Sequence, residues 1–567
     1  MTETTLENAA VEKIFGERKD FIIIGLTGRT GCGCTTVANL LSEKFDQLQP
    51  PIPEKSVTPE ERAYQIIYEY AKNSWMPFRI IEMKHVIFTF VLENDFLRLT
   101  RFIDEVLETH IDISGLRESY DNLHSKRIEW KDKVGRLNAD GENVPYDDDL
   151  YKFYFEEIPN YYREFQEAIP AQYYTKLLQA IGNNIRASGS AFSNVSAPEN
   201  ILNLSQRVNM LIKILRRRNI VEKKRVLVVI DALRNPYEAA FFKDRYSAFY
   251  LIAINATDRE RKNRLVEKGY SFEDIVALDE KEYPSLGNTI RSFSEINIEK
   301  TVEISDIHIY NRNSNSKSLT DTKKQLLRYI TLIMHPGLVP PTEIERCMQI
   351  AYDAKLNSGC LSRQVGAVIT DSKYNIISMG WNTAPEGQIA CNLRSLCSLI
   401  REDNDDDTGM SEFERTNIPY RAFLRKQTSD VDFSLLKGRN CAYCFKDAYN
   451  AHRKQKNQVH TRSIHAEEMA FLQAAKCRMP SAENGCLFTT ASPCELCSKK
   501  AYHIGIHSIY YIDKYPGISY EHILNCGEKI PQMIPFRGAI GRAYTQLYTQ
   551  IIPYKDELYM VLGLTFK

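Results

Sequence analysis

An excess of charge of either sign is missing from this chain: its 567 residues hold 73 lysines and arginines against 73 aspartates and glutamates. A dedicated nucleic-acid binder carries a basic excess, so the balance favours a small-molecule substrate. Long apolar runs are missing too. The longest, such as Phe21–Leu26 and Val226–Ile230, fall far short of the roughly 20 residues that a bilayer-spanning helix needs. The opening stretch MTETTLENAA has neither a basic lead nor an apolar core, so no signal peptide is expected. Without an export signal, the thirteen cysteines are expected to be reduced thiols or metal ligands rather than disulfides. The expectation is a soluble cytoplasmic protein with no membrane partner.

What the chain does have is concentrated in its second half. Eleven of the thirteen cysteines lie beyond residue 346, and the same half carries His465-Ala466-Glu467 followed by Pro493-Cys494-Glu495-Leu496-Cys497. Each residue type there answers a separate chemical demand. His465 offers a neutral imidazole, and Cys494 and Cys497 offer two thiolates. That makes three protein ligands for Zn²⁺ and leaves a fourth position open to water, as catalytic zinc requires. The metal lowers the pKa of that water toward neutrality. Glu467, two residues from the first ligand, binds no metal. It is the candidate catalytic acid/base, moving a proton from water to the ring and later to the departing amine. A structural zinc finger also carries Cys-x-x-Cys and a distant His, but it closes its site with a fourth Cys or His and has no use for the glutamate. His-x-Glu followed by Pro-Cys-x-x-Cys is the order found in zinc-dependent nucleobase deaminases.

At this length two or more domains are expected. Residues 1–19 read as a flexible lead-in. Phe21–Leu26, Val226–Ile230 ending in Asp231, Ala248–Asn255 and Val302–Tyr310 read as buried strands separated by helical patterns, which predicts a doubly wound α/β domain over 20–334. Within it, about 60–215 reads as a large helical insertion whose many Tyr and Phe are packing residues. His335-Pro336-Gly337 and Pro340-Pro341 break the chain, so 335–341 is the expected linker to a second domain over 342–567. In that domain Glu343–Asn357 reads as a helix, and Val365–Thr370 with Ile376–Gly380 as a hairpin. His465–Lys476 reads as a helix and Gly485–Thr490 as a strand. Pro493 then starts a further helix with both cysteines at its N-terminus, where the dipole favours thiolates. The acidic run Glu402–Asp407 reads as a loop.

Ser362-Arg363-Gln364-Val365-Gly366-Ala367-Val368-Ile369 and Ser378-Met379-Gly380-Trp381-Asn382-Thr383-Ala384-Pro385, together with the two metal segments, resemble the deoxycytidylate deaminase family over about 342–515. The resemblance implies a cytidine-deaminase-like α/β/α domain. It sets Asn382 beside the nucleotide sugar, against the plainer reading that this Asn closes a turn, and it sets Tyr515 on the base. It also implies an accessory structural zinc on Cys360 and Cys391, completed by His452 and His460. Cys441 and Cys444 are an alternative pair to join Cys391 and Cys397, and buried free thiols are the third reading.

Gly28-Arg29-Thr30-Gly31-Cys32-Gly33-Cys34-Thr35, directly after the first strand, fits the phosphate-binding pattern G-x-x-x-x-G-K-[ST] except that Cys34 replaces the lysine. Backbone N–H groups around Gly28, Gly31, Gly33, Cys34 and Thr35 still offer a phosphate cradle, and Asp231 is placed as a ligand for Mg²⁺. What is lost is the ammonium that meets the β/γ-phosphate charge, which is central to phosphoryl transfer. Arg234–Glu238 resembles deoxynucleoside monophosphate kinases; Asn184–Arg186 and Arg259, Arg261 and Arg264 resemble their phosphate-contacting segments less closely. Three readings stand: an active kinase, a sensor that binds a nucleoside triphosphate with Mg²⁺, and a structural relic, with the sensor favoured. Redox chemistry at Cys32 and Cys34 is a minor fourth.

Over the whole chain, a P-loop kinase-like domain followed by a deoxycytidylate deaminase-like domain resembles the bacterial anti-phage deoxycytidine-nucleotide deaminases. These convert dCTP, and in some cases dCMP, to the deoxyuridine nucleotide. That resemblance implies depletion of a DNA precursor, restraint by the first domain and a homo-oligomer. It also implies an inhibitory RNA partner in some relatives, with Arg216–Arg218 and Lys223–Arg225 as contacts, against the plainer reading of a solvated helix end. A housekeeping dCMP deaminase supplying dUMP, a nucleic-acid cytosine deaminase and a non-catalytic zinc scaffold are the competing readings. Neutral net charge counts against the second of these and Glu467 against the third.

Overall fold

A computed structural model gives the fold and describes residues 3–54, 57–139, 147–282, 291–312, 319–401, 409–477, 481–514 and 517–563. The chain divides into two compact units, one made of Met1–Pro340 with Arg542–Lys567 and the other of Pro341–Gly541. The first boundary falls inside the Pro-rich break at 335–341. The second unit ends earlier than the expected 567, because the last helix, Tyr554–Leu562, packs on the first helix of the chain.

In the first unit, β1 (Phe21–Thr27), β2 (Arg79–Glu82), β3 (Val226–Asp231), β4 (Phe249–Asn255) and β5 (Ile307–Tyr310) lie in the order β5-β4-β1-β3-β2, each adjacent pair parallel. Unbroken apolar runs such as Ile22-Ile23-Ile24 are what a parallel sheet covered on both faces requires, and these three side chains are fully buried. Three expectations need correction. The lead-in is a helix, α1 (Glu3–Asp20), tied down by buried Val11 and Phe15; Phe15 stacks on His335 with ring centroids 4.2 Å apart. The strand expected over 302–310 begins only at Ile307, because Asn297 caps a short helix, Ile298–Glu303, by accepting from Lys300 N. The helical insertion contains one strand, β2, at the edge of the sheet. The rest of the insertion is helical, and its aromatics do pack: Phe88 meets Tyr162 at 5.3 Å and Phe165 at 5.2 Å between ring centroids.

The second unit is a three-layer arrangement around one mixed sheet. Its strands β6 (Gly366–Thr370), β7 (Ile376–Trp381), β8 (Cys486–Ala491), β9 (Ser508–Asp513) and β10 (Gln532–Pro535) run in the order β10-β9-β8-β6-β7. β6 is antiparallel to β7 and β8, while β8, β9 and β10 are mutually parallel neighbours. Alternation along the strands divides the core in two. Ala367, Ile369, Leu487 and Ile509 face the helices Ala466–Lys476 and Glu495–Ile504. Val368, Phe488 and Tyr510 face the opposite layer, which contains the helix Glu343–Lys355.

Candidate active site

The site is built where two helices begin. His465 is the N-cap of α2 (Ala466–Lys476) and Cys494 is the N-cap of α3 (Glu495–Ile504), with Cys497 in the first turn of α3. Both caps have extended backbone, which turns their side chains back toward the helix start. Gly380 of β7 lets α2 lie directly on the sheet. A Cβ at Gly380 would stand 2.3 Å from Ala466 O and 2.5 Å from Ala470 N.

The three predicted ligands meet. One ligand atom from each of His465, Cys494 and Cys497 falls within 4.8 Å of the others, the one such His/Cys/Asp/Glu group among the described residues. His465 Nδ1 lies 3.4 Å from Cys494 Sγ and 3.5 Å from Cys497 Sγ. Tetrahedral zinc with bonds of about 2.3 Å to sulfur and 2.0–2.1 Å to nitrogen has an S···N edge of about 3.5 Å, so the donors are spaced as a zinc site spaces them. A hydrogen bond from Cys497 holds the Cys494 thiol down at about 4, and the reciprocal contact with Cys494 raises Cys497.

Glu467 follows in the first turn of α2 with only 5% of its surface exposed, and burial pushes its carboxyl above the ordinary range. The Thr489 hydroxyl of β8 donates to its Oε1 at 3.5 Å. His465, Glu467 and Cys494 line one cavity, together with Asn382. The Asn382 side chain is engaged by the backbone: Oδ1 accepts from Val365 N at 2.8 Å and Nδ2 donates to Arg363 O at 2.5 Å. That geometry matches the turn-closing alternative and shapes the 363–365 wall. Tyr515 and the acidic run 402–407 lie outside the described residues.

The second metal set does not assemble. Among the described residues, no three of Cys360, Cys391, Cys397, Cys441, Cys444, His452 and His460 bring ligand atoms together. His452 packs its ring against Phe423 and Tyr420, and His460 packs against Tyr449 at 4.7 Å. Cys360, Cys391 and Cys444 line the cavity wall, while Cys441 contacts Cys397.

In the first unit the glycine loop joins β1 to the helix Cys34–Ser42, with Gly33 at φ 101°. A Cβ there would meet Asn311 Nδ2 at 2.2 Å, so only glycine fits. The Thr35 hydroxyl donates to Asp231, whose carboxyl is raised by burial. Glu282, which nothing in the sequence singles out, occupies the loop. Its carboxylate accepts from Thr30 N at 3.1 and 3.2 Å, from the Thr30 hydroxyl and from Arg234 at 3.0 Å. Three of the other arginines are engaged too. Arg261 pairs with Asp279 at 2.6 Å, Arg264 donates to the carbonyls of Gly31, Cys32 and Asn311, and Arg186 pairs with Glu238. Burial pushes the Cys32 thiol up to about 11 and also raises Cys34, which disfavours the thiolate form at both. Part of the basic stretch at and beyond the end of helix Asn203–Val221 is engaged. Arg218 pairs with Glu222 and sits over Tyr151, and Arg225 meets Asp20.

Sequence reading passed over Lys446 and Arg462, which line the deaminase-type cavity from the long segment between β7 and α2. Arg462 stands three residues before His465, which was a usable signal; Lys446 reaches the cavity only through the folding of that segment.

A three-layer α/β/α unit with one imidazole and two thiols converging at two helix N-termini defines the class of zinc-binding deaminase domains. Residues 341–513 match the family described as the cytidine and deoxycytidylate deaminase zinc-binding region. The deoxycytidylate deaminases of Enterobacteria phages T4 and T2 are each 30% identical over 169 residues, 30% of this chain and 76% and 78% of those proteins. Among solved structures, the dCMP deaminase of cyanophage S-TIM5 in complex with dCMP and dUMP is 18% identical, matching 34% of this chain and 95% of that one with a TM-score of 0.21. The chain belongs to the cytidine and deoxycytidylate deaminase family. Among the described residues no helix is long and apolar enough to cross a membrane.

Proposed function

We propose that the second unit hydrolyses deoxycytidine nucleotides, dCTP and dCMP, releasing ammonia and the deoxyuridine nucleotide. The observation that carries this is the convergence of His465, Cys494 and Cys497 with buried Glu467 beside them in one cavity. Zn²⁺ held by those three residues supplies a Lewis acid that activates water near neutral pH. Glu467 then handles the protons: its carboxylate takes one from the attacking water and passes it to ring N3, then takes the proton of the hydroxyl newly added at C4 and gives it to the exocyclic amine as the amine leaves. Asn382 holds the 363–365 wall against which the sugar lies.

The first unit is the proposed regulator. Its kinase-like loop binds a nucleoside triphosphate, with Mg²⁺ on Thr35 and Asp231, and without the lysine it binds rather than transfers phosphate. The Thr35–Asp231 contact supports the Mg²⁺ assignment, and Glu282 must leave Thr30 before a phosphate can take its place. Removing dCTP starves viral DNA synthesis and would harm the host if unrestrained, which is why anti-phage depletion and a regulatory unit fit together. Assay of the zinc-loaded protein against dCMP, dCTP, CTP and a cytosine oligonucleotide tests the reading. Turnover of dCTP, alone or with dCMP, supports it; turnover of dCMP alone favours dUMP supply; oligonucleotide turnover matching that of free nucleotide contradicts both.

A further inference from the structure

The cavity wall carries more positive charge than the reaction uses. Arg363, Lys446 and Arg462 line it, and Glu467 is the only carboxylate among the lining residues. Arg363 is spent on Asp513, which is 3% exposed. The other two are held less firmly. Lys446, with 15% of its side chain exposed, has only the solvent-exposed Asp447 at 3.3 Å and the Gln458 amide oxygen at 3.2 Å. A carboxylate in water neutralises little of a neighbour's charge. Arg462 reaches Glu414 at 3.4 Å, yet Glu414 is already fully subscribed. Arg394 and Tyr443 both donate to Oε1, and Ser411 donates to Oε2 through its N–H and its hydroxyl, each at 2.8 Å. One buried carboxylate therefore faces two guanidinium groups, and Arg462 is the outer one. Its Nε is buried with no hydrogen-bond partner, a state that costs free energy until an acceptor is supplied.

Resting on the deaminase reading above, we propose that Lys446 and Arg462 bind the 5′-phosphate chain of the substrate and set the preference for nucleotides over unphosphorylated deoxycytidine. A phosphomonoester carries about −1.5 to −2 near pH 7 and three acceptor oxygens. Moving the Arg462 guanidinium onto one of them gives Nε an acceptor, and Lys446 adds a point charge from the same segment. Both residues act on binding and touch no reacting atom, so they govern KM rather than the chemical step.

The test uses full-length zinc-loaded protein and the variants Lys446→Ala, Arg462→Ala and Arg462→Lys, each assayed with deoxycytidine, dCMP and dCTP. Each alanine variant is expected to raise KM for dCMP about tenfold or more, and for dCTP by a larger factor, with kcat within about twofold. Deoxycytidine kcat/KM stays unchanged, and Arg462→Lys, which keeps the charge but not the Nε donor, recovers part of the loss. Equal losses on all three compounds would mean that the residues only hold the wall in shape, and no loss on any would mean that the phosphates lie elsewhere; either overturns the proposal. If zinc-loaded wild type turns over none of the three, the deaminase reading itself fails and takes this proposal with it.

Discussion

In the proposed mechanism Glu467 and the three ligands divide the work of the site, so single substitutions separate them. Glu467→Gln removes proton transfer and is expected to lower kcat by roughly 10²- to 10⁴-fold. Cys494→Ser removes a ligand and is expected to lose the metal as well as turnover, so zinc content distinguishes the two failures. Metal analysis of wild type is expected to give one zinc per chain, because the second cysteine–histidine set is not assembled; two per chain would contradict that arrangement. These residues were legible because their chemistry fixes short spacings, His-x-Glu and Cys-x-x-Cys, that survive any arrangement of the rest. Glu282 was not legible. Its contact with Thr30 joins positions 252 residues apart, and no local pattern records such a partnership.

Elements position these side chains, and β7 is the one that matters most. Gly380→Ala drives a methyl group into backbone of α2, which cannot move aside as a side chain can. We expect a loss of about 1–3 kcal/mol in stability and, because His465 and Glu467 ride on α2, a fall in kcat approaching 10²-fold. Thermal melting together with kcat reads both. In the first unit, β5 carries His308, fully buried and pushed down to about 3 by burial. Its unfolded value is 6.5, so the unfolded chain takes up a proton that the folded chain refuses. Stability contributed by the neutral ring is complete above pH 6.5 and falls, by about 1.4 kcal/mol per pH unit from this one group, as pH drops toward 3. Urea unfolding followed against pH should be less steep in His308→Leu over that window. Strands buried on both faces were legible from unbroken apolar runs such as that of β1. The four-residue edge strand β2 was not, because its residues fit a helical pattern as well as an extended one. The start of β5 was misplaced because Asn297 caps a helix within the same apolar stretch.

At the scale of the whole molecule, two units were visible from the Pro-rich break, but the return of the last helix to the first unit was not. That helix is held by contacts such as Glu557 Oε1 to His335 Nε2 at 2.9 Å, a pairing over 222 residues. The proposed regulation belongs at this scale. Glu282→Gln weakens the charge-assisted grip on Thr30 and Arg234, and is expected to tighten nucleoside triphosphate binding several-fold by calorimetry. Gly33→Val, which meets Asn311, is expected to abolish that binding, whereas unchanged affinity in both variants would leave the loop a structural relic. In the proposed mechanism one zinc, held by three ligands, works through Glu467. The most direct measurement is zinc content and deoxycytidine-nucleotide turnover determined together on Glu467→Ala. One zinc per chain, as in wild type, with turnover lost is the expected result. Normal turnover by that protein would contradict it.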